Sequence, residues 1–238
     1  MTGVGYAAVT GTAEAAAPQA TQSQIDAGRQ LYLEGCATCH GLGAQGTSAG
    51  PTLVGVGAAA VDFQVSTGRM PLAAPAVQAP RRTPQYTDEQ TKALAAYVAS
   101  LGAGPAIPGA EQVNAENADL AEGGELFRTN CQQCHNFAGR GGALSNGKYA
   151  PSLMRATPTE IYEAMLTGPQ NMPNFPEGTM PTEQKQAIIK FITHLQNADD
   201  PGGLALGDLG PVTEGVFIWV GGLGALLAAA VWIGAKVR

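Results

Sequence analysis

The sequence predicts an all-α protein in which two small helical domains follow one another and a single apolar helix ends the chain. Three observations support this prediction. A cysteine motif recurs once together with its flanking residues, each copy ends in a helical pattern, and a run of 21 residues near the C-terminus carries no charge. An internal repeat of this kind indicates a duplicated unit rather than one large domain.

The repeated motif reads Cys-x-x-Cys-His and occurs at residues 36–40 and again 95 positions later, at residues 131–135. C-x-x-C-H is the attachment signature of c-type haem, in which two thiols add to the vinyl groups and the histidine binds the iron. A zinc site would need two C-x-x-C pairs without the histidines, a redox dithiol would need one pair, and disulfides need no histidine. The sequence therefore predicts two covalent haems c, held by Cys36, Cys39, Cys131 and Cys134, with His40 and His135 as iron ligands.

The segments around the motifs repeat as well. A glycine-led segment lies eight residues before each motif, at 28–32 and 123–127, and residues 50–53 correspond to 150–153. Each copy closes with apolar residues at helical spacing, which predicts helices from Thr87 to Leu101 and from Thr182 to Gln196. A threonine followed by acidic residues opens both helices, as is typical of a helix N-terminus.

Methionines in loops are the predicted second ligands of the two irons. Met70 and Met172 each lie in a Gly/Pro-rich loop between a helical segment and the closing helix, and each precedes a proline. A methionine in such a loop is less readily explained as core packing than one in an apolar helical stripe. The third histidine, His194, lies inside the last helical pattern and is interpreted as a surface or helix-end residue.

Met180 is the rival ligand in the second copy because it also precedes a proline. It lies only two residues before the closing helix, whereas Met172 lies ten residues before it. The chain needs several residues to leave the iron and reach that helix, so the spacing favours Met172. Met165, in a helical apolar pattern, and Met154, close to the Pro151 turn, are interpreted as packing residues.

Pro51 and Pro151 are candidates for supporting the two histidines. A ligating histidine usually donates its second ring N–H to a carbonyl or a carboxylate, and a proline keeps its carbonyl although it lacks an N–H. The two prolines follow their histidines by 11 and 16 residues. The alternative is that both are ordinary turn prolines.

The C-terminal run at residues 215–235 is long enough to cross a membrane, since 21 helical residues span about 30 Å. Lys236 and Arg238 follow this run, while Asp208 and Glu214 precede it. By the positive-inside rule, the C-terminus is predicted to be cytoplasmic and both haem domains extracytoplasmic, at the plasma membrane. A buried helix of a soluble protein is the alternative.

With these residues in place, both copies resemble class I cytochrome c domains. The tandem arrangement, with residues 62–71 and 141–151, is similar to the dihaem cytochrome c subunit of the actinobacterial menaquinol–cytochrome c reductase, the cytochrome bcc complex. The resemblance covers about residues 25–238. It implies a cytochrome b subunit and a Rieske iron–sulfur protein as partners, membrane lipid around the last helix, and electron delivery to a copper centre of a cytochrome oxidase. The first haem would face the Rieske protein and the second the oxidase.

Electron relay is the predicted function because an iron bound by both histidine and methionine has no open position for a substrate. We found no nucleophile–base pair, phosphate loop or dinucleotide-binding fingerprint in the sequence, so no bond-making catalysis is expected in this chain alone. A dihaem peroxidase would need a displaceable ligand, and the methionines in both copies count against it. A cytochrome subunit of another membrane oxidoreductase, such as a haem–copper oxidase or an alcohol dehydrogenase, stays open. The net charge of −6 disfavours nucleic acid as a partner.

The predicted organisation has seven parts. The first is expected to lie downstream of a missing signal anchor, because extracytoplasmic domains must be exported. The parts are an N-terminal segment 1–24, cytochrome c domain 1 at 25–101, a linker at 102–119, cytochrome c domain 2 at 120–197, an extracytoplasmic connector at 198–214, the transmembrane helix at 215–235 and a cytoplasmic tail at 236–238. The linker is expected to lie over the protein surface.

Overall fold

The structure, a computed structural model, describes residues 20–198 and 211–236. Most of the predicted N-terminal segment and connector, and the last two residues, therefore lie outside the described residues. The helices are α1 Gln22–Gly35, α2 Ala37–His40, α3 Gly57–Ser66, α4 Asp88–Ser100, α5 Ala110–Val113, α6 Leu120–Asn130, α7 Gln132–His135, α8 Pro158–Thr167, α9 Thr182–Asn197 and α10 Pro211–Lys236. The described strands are short, β1 Gly142–Ala143 and β2 Tyr149–Ala150, and they pair antiparallel. The predicted all-α class is confirmed.

The chain forms two compact units. The first contains the described residues up to Pro71 together with Arg82–Gly109, and the second contains Leu72–Arg81 and the residues from Ala110 onwards. We call Leu72–Arg81 the strap. The sequence predicted a continuous first domain at residues 25–101, whereas the structure places the strap with the second unit. The physical reason is a set of hydrogen bonds and an ion pair, described below, that join the strap to side chains and backbone of the second unit.

Each unit is built on a crossing of the long helix before its cysteine motif and the helix that closes its repeat. In the first unit α1 packs on α4, and in the second unit α6 packs on α9. A Cβ at Gly28 would lie 1.9 Å from the Ala93 carbonyl oxygen, and one at Gly123 would lie 1.9 Å from the Ala187 carbonyl oxygen. Only glycine allows the backbones to approach so closely. This explains why the same glycine precedes both cysteine motifs at the same distance.

Aromatic pairs complete both crossings. Tyr32 on α1 meets Tyr97 on α4 with ring centroids 5.2 Å apart, and Phe127 on α6 meets Phe191 on α9 at 5.3 Å. Both pairs are tilted, the arrangement that aromatic rings prefer over a face-to-face stack. Tyr32 and Phe127 are almost completely buried, so each unit has its own small apolar core beside its motif.

The two closing helices begin where the sequence predicted but are capped differently. Thr87 caps α4 in a capping box with Gln90, as expected. Thr182, by contrast, is the first residue of α9 rather than its cap. Its N–H donates to the Glu177 carboxylate at 2.9 Å, so a side chain from the preceding loop satisfies the helix end.

The predicted linker lies over the protein surface and is partly helical. Near its start, the Pro105 carbonyl accepts a hydrogen bond from the Ala59 N–H at 3.1 Å. Further on, the linker forms α5, and the Gln186 side chain donates to the Glu111 carbonyl at 2.8 Å. The sequence did not predict α5, because four residues are too few to show a helical period.

One helix of the described residues is long and apolar enough to cross a membrane. Residues 213–236 of α10 contain a window with a mean hydropathy of 2.2 that is entirely exposed. The helix contains the predicted span at 215–235 and extends four residues before it. Lys236 lies 4.8 Å from the Trp232 ring centroid at the C-terminal end. An exposed apolar helix of this length indicates membrane anchoring.

Candidate haem-binding sites

Each cysteine motif begins at the junction of two helices. In the first unit the Cys36 N–H donates to the Tyr32 carbonyl at 2.8 Å and so ends α1. The Cys36 carbonyl then accepts from the N–H groups of Cys39 and His40, at 3.1 and 3.0 Å, and so begins α2. A short helical turn therefore presents both thiols and the imidazole from five consecutive residues.

The second unit repeats this backbone frame. The Cys131 N–H donates to the Phe127 carbonyl at 2.8 Å, and the Cys131 carbonyl accepts from Cys134 and His135 at 3.1 and 2.9 Å. The loops that follow also match, since Gly46 and Gly141 donate to the carbonyls of the motif histidines at 2.8 Å in both copies. The repeat therefore extends from sequence to individual hydrogen bonds.

A proline carbonyl holds each motif histidine. Nδ1 of His40 lies 2.7 Å from the Pro51 carbonyl oxygen, and Nδ1 of His135 lies 2.9 Å from that of Pro151. A carbonyl only accepts, so Nδ1 carries the proton and Nε2 keeps its lone pair for a metal. Burial lowers the pKa of His135, although its bond to Pro151 acts in the opposite direction. The Pro151 contact therefore favours the tautomer of His135 whose Nε2 can bind a metal.

The four cysteines form no disulfide with one another and are partly exposed, so the structure gives no support to the disulfide alternative. Burial, and secondarily the neighbouring Cys39, raises the pKa of Cys36 to about 11. Burial together with Cys134 raises the pKa of Cys131 to about 12.

The donor set fits a covalently attached haem rather than a zinc ion. Within residues 20–198 and 211–236, no three His, Cys, Asp or Glu side chains converge as ligands of one metal ion. Beside the first motif, a Cβ at Gly50 would lie 2.9 Å from the Cys39 carbonyl oxygen and 3.1 Å from the His40 ring. The chain thus packs tightly behind the histidine and leaves Nε2 available for iron.

The predicted methionine ligands are both partly buried and lie beside the apolar cores. Met70 packs against the core of the first unit and Met172 against that of the second. Met180, the rival ligand, is 3% exposed inside the second core, and its carbonyl accepts a hydrogen bond from the Lys185 ammonium. Core packing is sufficient to explain Met180, whereas Met172 is only partly buried beside the same core.

The remaining candidates lie where the sequence indicated. Met165 is 2% exposed in the second core, which confirms its packing role. Met154 approaches Gly139 in the loop after the second motif. His194 is exposed in the last turn of α9, as predicted for a helix-end histidine.

Sequence reasoning missed the residues that connect the strap to the second site. Gln78 exchanges hydrogen bonds with the backbone of Tyr149, and Gln170 exchanges hydrogen bonds with the backbone of Ala79. One signal could have drawn attention to the strap. The loop from Met70 to the closing helix is longer than the loop from Met172 to its closing helix, although the copies otherwise match.

Two protein families match the two repeats separately. Residues 25–102 match the family described as "Cytochrome c", and residues 118–192 match the family described as "Cytochrome C oxidase, cbb3-type, subunit III". Each match covers one cysteine motif and the helices around it. The two domains are therefore cytochrome c domains, the class that holds haem c through thioether bonds.

Relatives of similar length match across both domains. Proteins of Corynebacterium efficiens and Corynebacterium diphtheriae are 48% and 47% identical, over 98% and 99% of this chain and 84% and 90% of their own lengths. A Mycobacterium tuberculosis protein is 45% identical over 93% of this chain and 81% of its length. Each is named "Cytochrome bc1 complex cytochrome c subunit". The chain belongs to this family.

Membership in the family confirms the resemblance inferred from the sequence. The cbb3-type match covers one domain, whereas the bc1-complex relatives match both domains and nearly the whole chain. The family is one of electron-transfer cytochromes. By their name, these relatives are each one subunit of a larger complex, so any activity of that complex is not that of a cytochrome c subunit by itself.

Proposed function

We propose that the chain is the dihaem cytochrome c subunit of a respiratory menaquinol–cytochrome c reductase. It relays single electrons from a Rieske iron–sulfur protein to a copper centre of a cytochrome oxidase, beside a cytochrome b subunit. The repeated contact of a motif histidine with a proline carbonyl, in a chain of this family, carries the proposal. Both domains have this contact, so both are equipped to hold an iron.

Corresponding residues have the same roles at the two sites. Cys36 and Cys39 anchor one haem c, and the corresponding cysteines of the second motif anchor the other. When bound, each haem supplies a one-electron Fe(III)/Fe(II) couple. The histidine gives a nitrogen ligand whose orientation the proline carbonyl sets, and this contact also makes the imidazole a stronger donor. His40 and Met70 would hold the iron of the first domain, and His135 and Met172 would hold that of the second.

Two features of the ligands suit a relay. A histidine and a methionine together fill both axial positions, so substrate has no place to bind. The thioether of methionine favours Fe(II) and raises the reduction potential relative to a second histidine. Burial of His40, which is 9% exposed, keeps water from its side of the first site. Such sites exchange electrons without making or breaking substrate bonds.

The proposal places both haem domains on the extracytoplasmic face of the plasma membrane. α10 anchors them in lipid, and its C-terminal Lys236 lies on the cytoplasmic side by the positive-inside rule. A Rieske domain and an oxidase copper centre on the same face could then reach the two cytochrome c domains. The first domain is assigned to the Rieske protein and the second to the oxidase by the resemblance alone.

One other function is favoured by a specific observation. The match of residues 118–192 to a cbb3-type oxidase subunit would suit a cytochrome subunit of a haem–copper oxidase. Purification in mild detergent separates the two functions. Retention of a cytochrome b and a Rieske protein with this chain supports the reductase, and retention of oxidase subunits without them supports the alternative.

The number of haems is tested by mass spectrometry of the denatured chain. Thioether bonds survive acid and detergent, so the mass is expected to exceed that of the polypeptide by two haems. Replacing Cys131 and Cys134 by alanine should remove one haem and leave the other. A wild-type chain with one haem, or none, would refute the relay.

A further inference from the structure

The strap joins two loops of the second haem site. Its adjacent residues Gln78 and Ala79 make hydrogen bonds to two different loops of the second unit. The Gln78 amide donates to the Tyr149 carbonyl at 2.6 Å and accepts from the Tyr149 N–H at 3.0 Å. The Ala79 backbone exchanges two hydrogen bonds of 3.3 Å with the amide of Gln170.

The partners of the strap lie close to both axial ligands in sequence. Tyr149 precedes by two residues Pro151, whose carbonyl holds His135. Gln170 precedes Met172 by two residues. Two neighbouring residues of the strap therefore contact the loop on the histidine side and the loop on the methionine side. The two loops are also joined directly, since the Lys148 ammonium donates to the Asn171 side chain. The strap therefore adds a second connection between them.

Further contacts fix the strap to the second unit. Arg81 pairs with Glu160 on α8 through two hydrogen bonds, one of them 3.2 Å long, and neither side chain is more than 30% exposed. Ala79 itself is buried, at 7% exposure. Next to Gln170, Asn171 accepts a hydrogen bond of 2.8 Å from Lys148. The residues on the N-terminal side of Met172 are therefore held at two successive positions, Gln170 by the strap and Asn171 by the loop that carries Tyr149.

The backbone of Gln170 needs such support. Its φ is +59°, in the left-handed region that residues other than glycine seldom occupy. The two bonds between its amide and Ala79 compensate for that strain. Without them, the segment that leads to Met172 would relax toward other conformations, and the methionine would leave the iron more often.

We propose that the strap positions both axial ligands of the second haem, with Gln78, Arg81 and Gln170 as positioning residues. This inference rests on the proposed ligation by Met172. The strap lies in the sequence of the first repeat, yet it acts on the second site. Its removal should raise the fraction of time that the sixth position of the second iron is open, while leaving the first iron unchanged.

The test uses the full membrane-bound chain in a Met70→Leu background, where the remaining methionine-to-iron charge-transfer band belongs to the second haem. Cyanide competes with the methionine for ferric iron, so its apparent affinity reports the open fraction. Loss of two hydrogen bonds is expected to lower the cyanide concentration that halves the band by about tenfold. Gln78→Ala, Gln170→Ala and Gln170→Gly should each have this effect, and Arg81→Lys should have less effect than Arg81→Ala.

Gln186→Ala is the matched control, because it also removes a hydrogen bond from a glutamine side chain to a backbone carbonyl of the second unit, away from Met172. It should leave the cyanide titration unchanged. In a Met172→Leu background, the strap variants should leave the band of the first haem unchanged.

Three results would overturn the proposal. If the strap variants titrate like Gln186→Ala while Met172→Leu removes the second band, the strap has no positioning role, although the ligand assignment stands. If Gln170→Gly titrates like the wild-type residue, backbone strain rather than the amide contact sets the open fraction. If Met172→Leu leaves the second band in place, both the ligand assignment and the positioning role are wrong.

Discussion

At the scale of single residues, the parts of the site that depend on short spacing were predictable. The cysteines and histidines come from one helical turn, and the proline acceptors lie within 16 residues of their histidines. Gln170 could not be found in this way. Its role depends on Ala79, which is 91 positions away, and no local pattern predicts such a contact.

The choice between Met172 and Met180 gives a first prediction. Met172→Leu is expected to abolish the charge-transfer band of one haem and to lower its potential, because the thioether's preference for Fe(II) is lost. Met180→Leu keeps an apolar side chain of similar volume in the core and should leave both haems spectrally intact. Absorption spectra and redox titrations of the two variants decide between them. The reverse outcome would show that loop length selected the wrong ligand.

A second prediction concerns the carboxylate of Glu177, which accepts hydrogen bonds from Lys185, Thr182 and Tyr162. Burial alone raises the pKa of this carboxylate, but the three donors together outweigh burial and hold the pKa below 4.5. A carboxylate with a lowered pKa stabilises the fold above its unfolded pKa, and this stability is lost as the pH falls through the folded pKa. The wild-type protein should therefore lose its advantage in melting temperature over Glu177→Gln as the pH falls below 4.5. A constant difference between the two proteins from pH 7 to pH 3 would contradict this.

At the scale of elements, the long helices were predictable because their apolar residues recur with the helical period. Thr87 and Thr182 marked the starts of α4 and α9 correctly, but the cap of α9 comes from Glu177 in the preceding loop. The strap contains two prolines and shows no helical or strand period, so nothing in its sequence indicates which unit it joins. Its position is determined by polar contacts between residues far apart in the chain.

The helix crossings give a third prediction. Gly123→Ala would place a methyl group 1.9 Å from the Ala187 carbonyl oxygen, where the obstacle is backbone and cannot rotate away. We expect the variant to lose about 2 kcal/mol or more of unfolding free energy, as α6 and α9 are forced apart. Gly178→Ala is the control, because nothing lies within 4 Å of a Cβ at that position. Chemical denaturation of the haem-loaded proteins measures both, and equal losses would contradict the packing argument.

At the scale of the whole molecule, the order of two cytochrome c domains and an apolar helix was predictable from the sequence. The internal repeat and the uncharged run each exceed the length at which chance patterns are common. The boundary between the units was not predictable, because the strap is contiguous in sequence with the first domain but lies with the second.

The fourth prediction tests the topology of the anchored protein. If α10 crosses the membrane with Lys236 inside, a C-terminal tag should resist protease added to intact cells stripped of their wall, while the haem domains are digested. Truncation from Glu214 onwards should release the chain from the membrane without removing haem, because no proposed ligand lies in that segment. Cleavage of the tag from outside would show that α10 has the opposite orientation, with its C-terminus outside the cell. Loss of haem on truncation would show that α10 is part of a folded haem domain.

The strap also has a consequence for the history of the duplicated chain. A newly duplicated domain is self-sufficient, and its two copies can be separated, reordered or lost one at a time. Once residues 72–81 became part of the second unit, a single cut at Ala110 no longer released a complete second domain. Residues of the strap and their partners in the second unit are constrained together, although they belong to different copies of the repeat. The second unit therefore includes a segment from the first repeat, whereas the first unit contains no residue of the second repeat. Both units must be inherited together for the second to be complete.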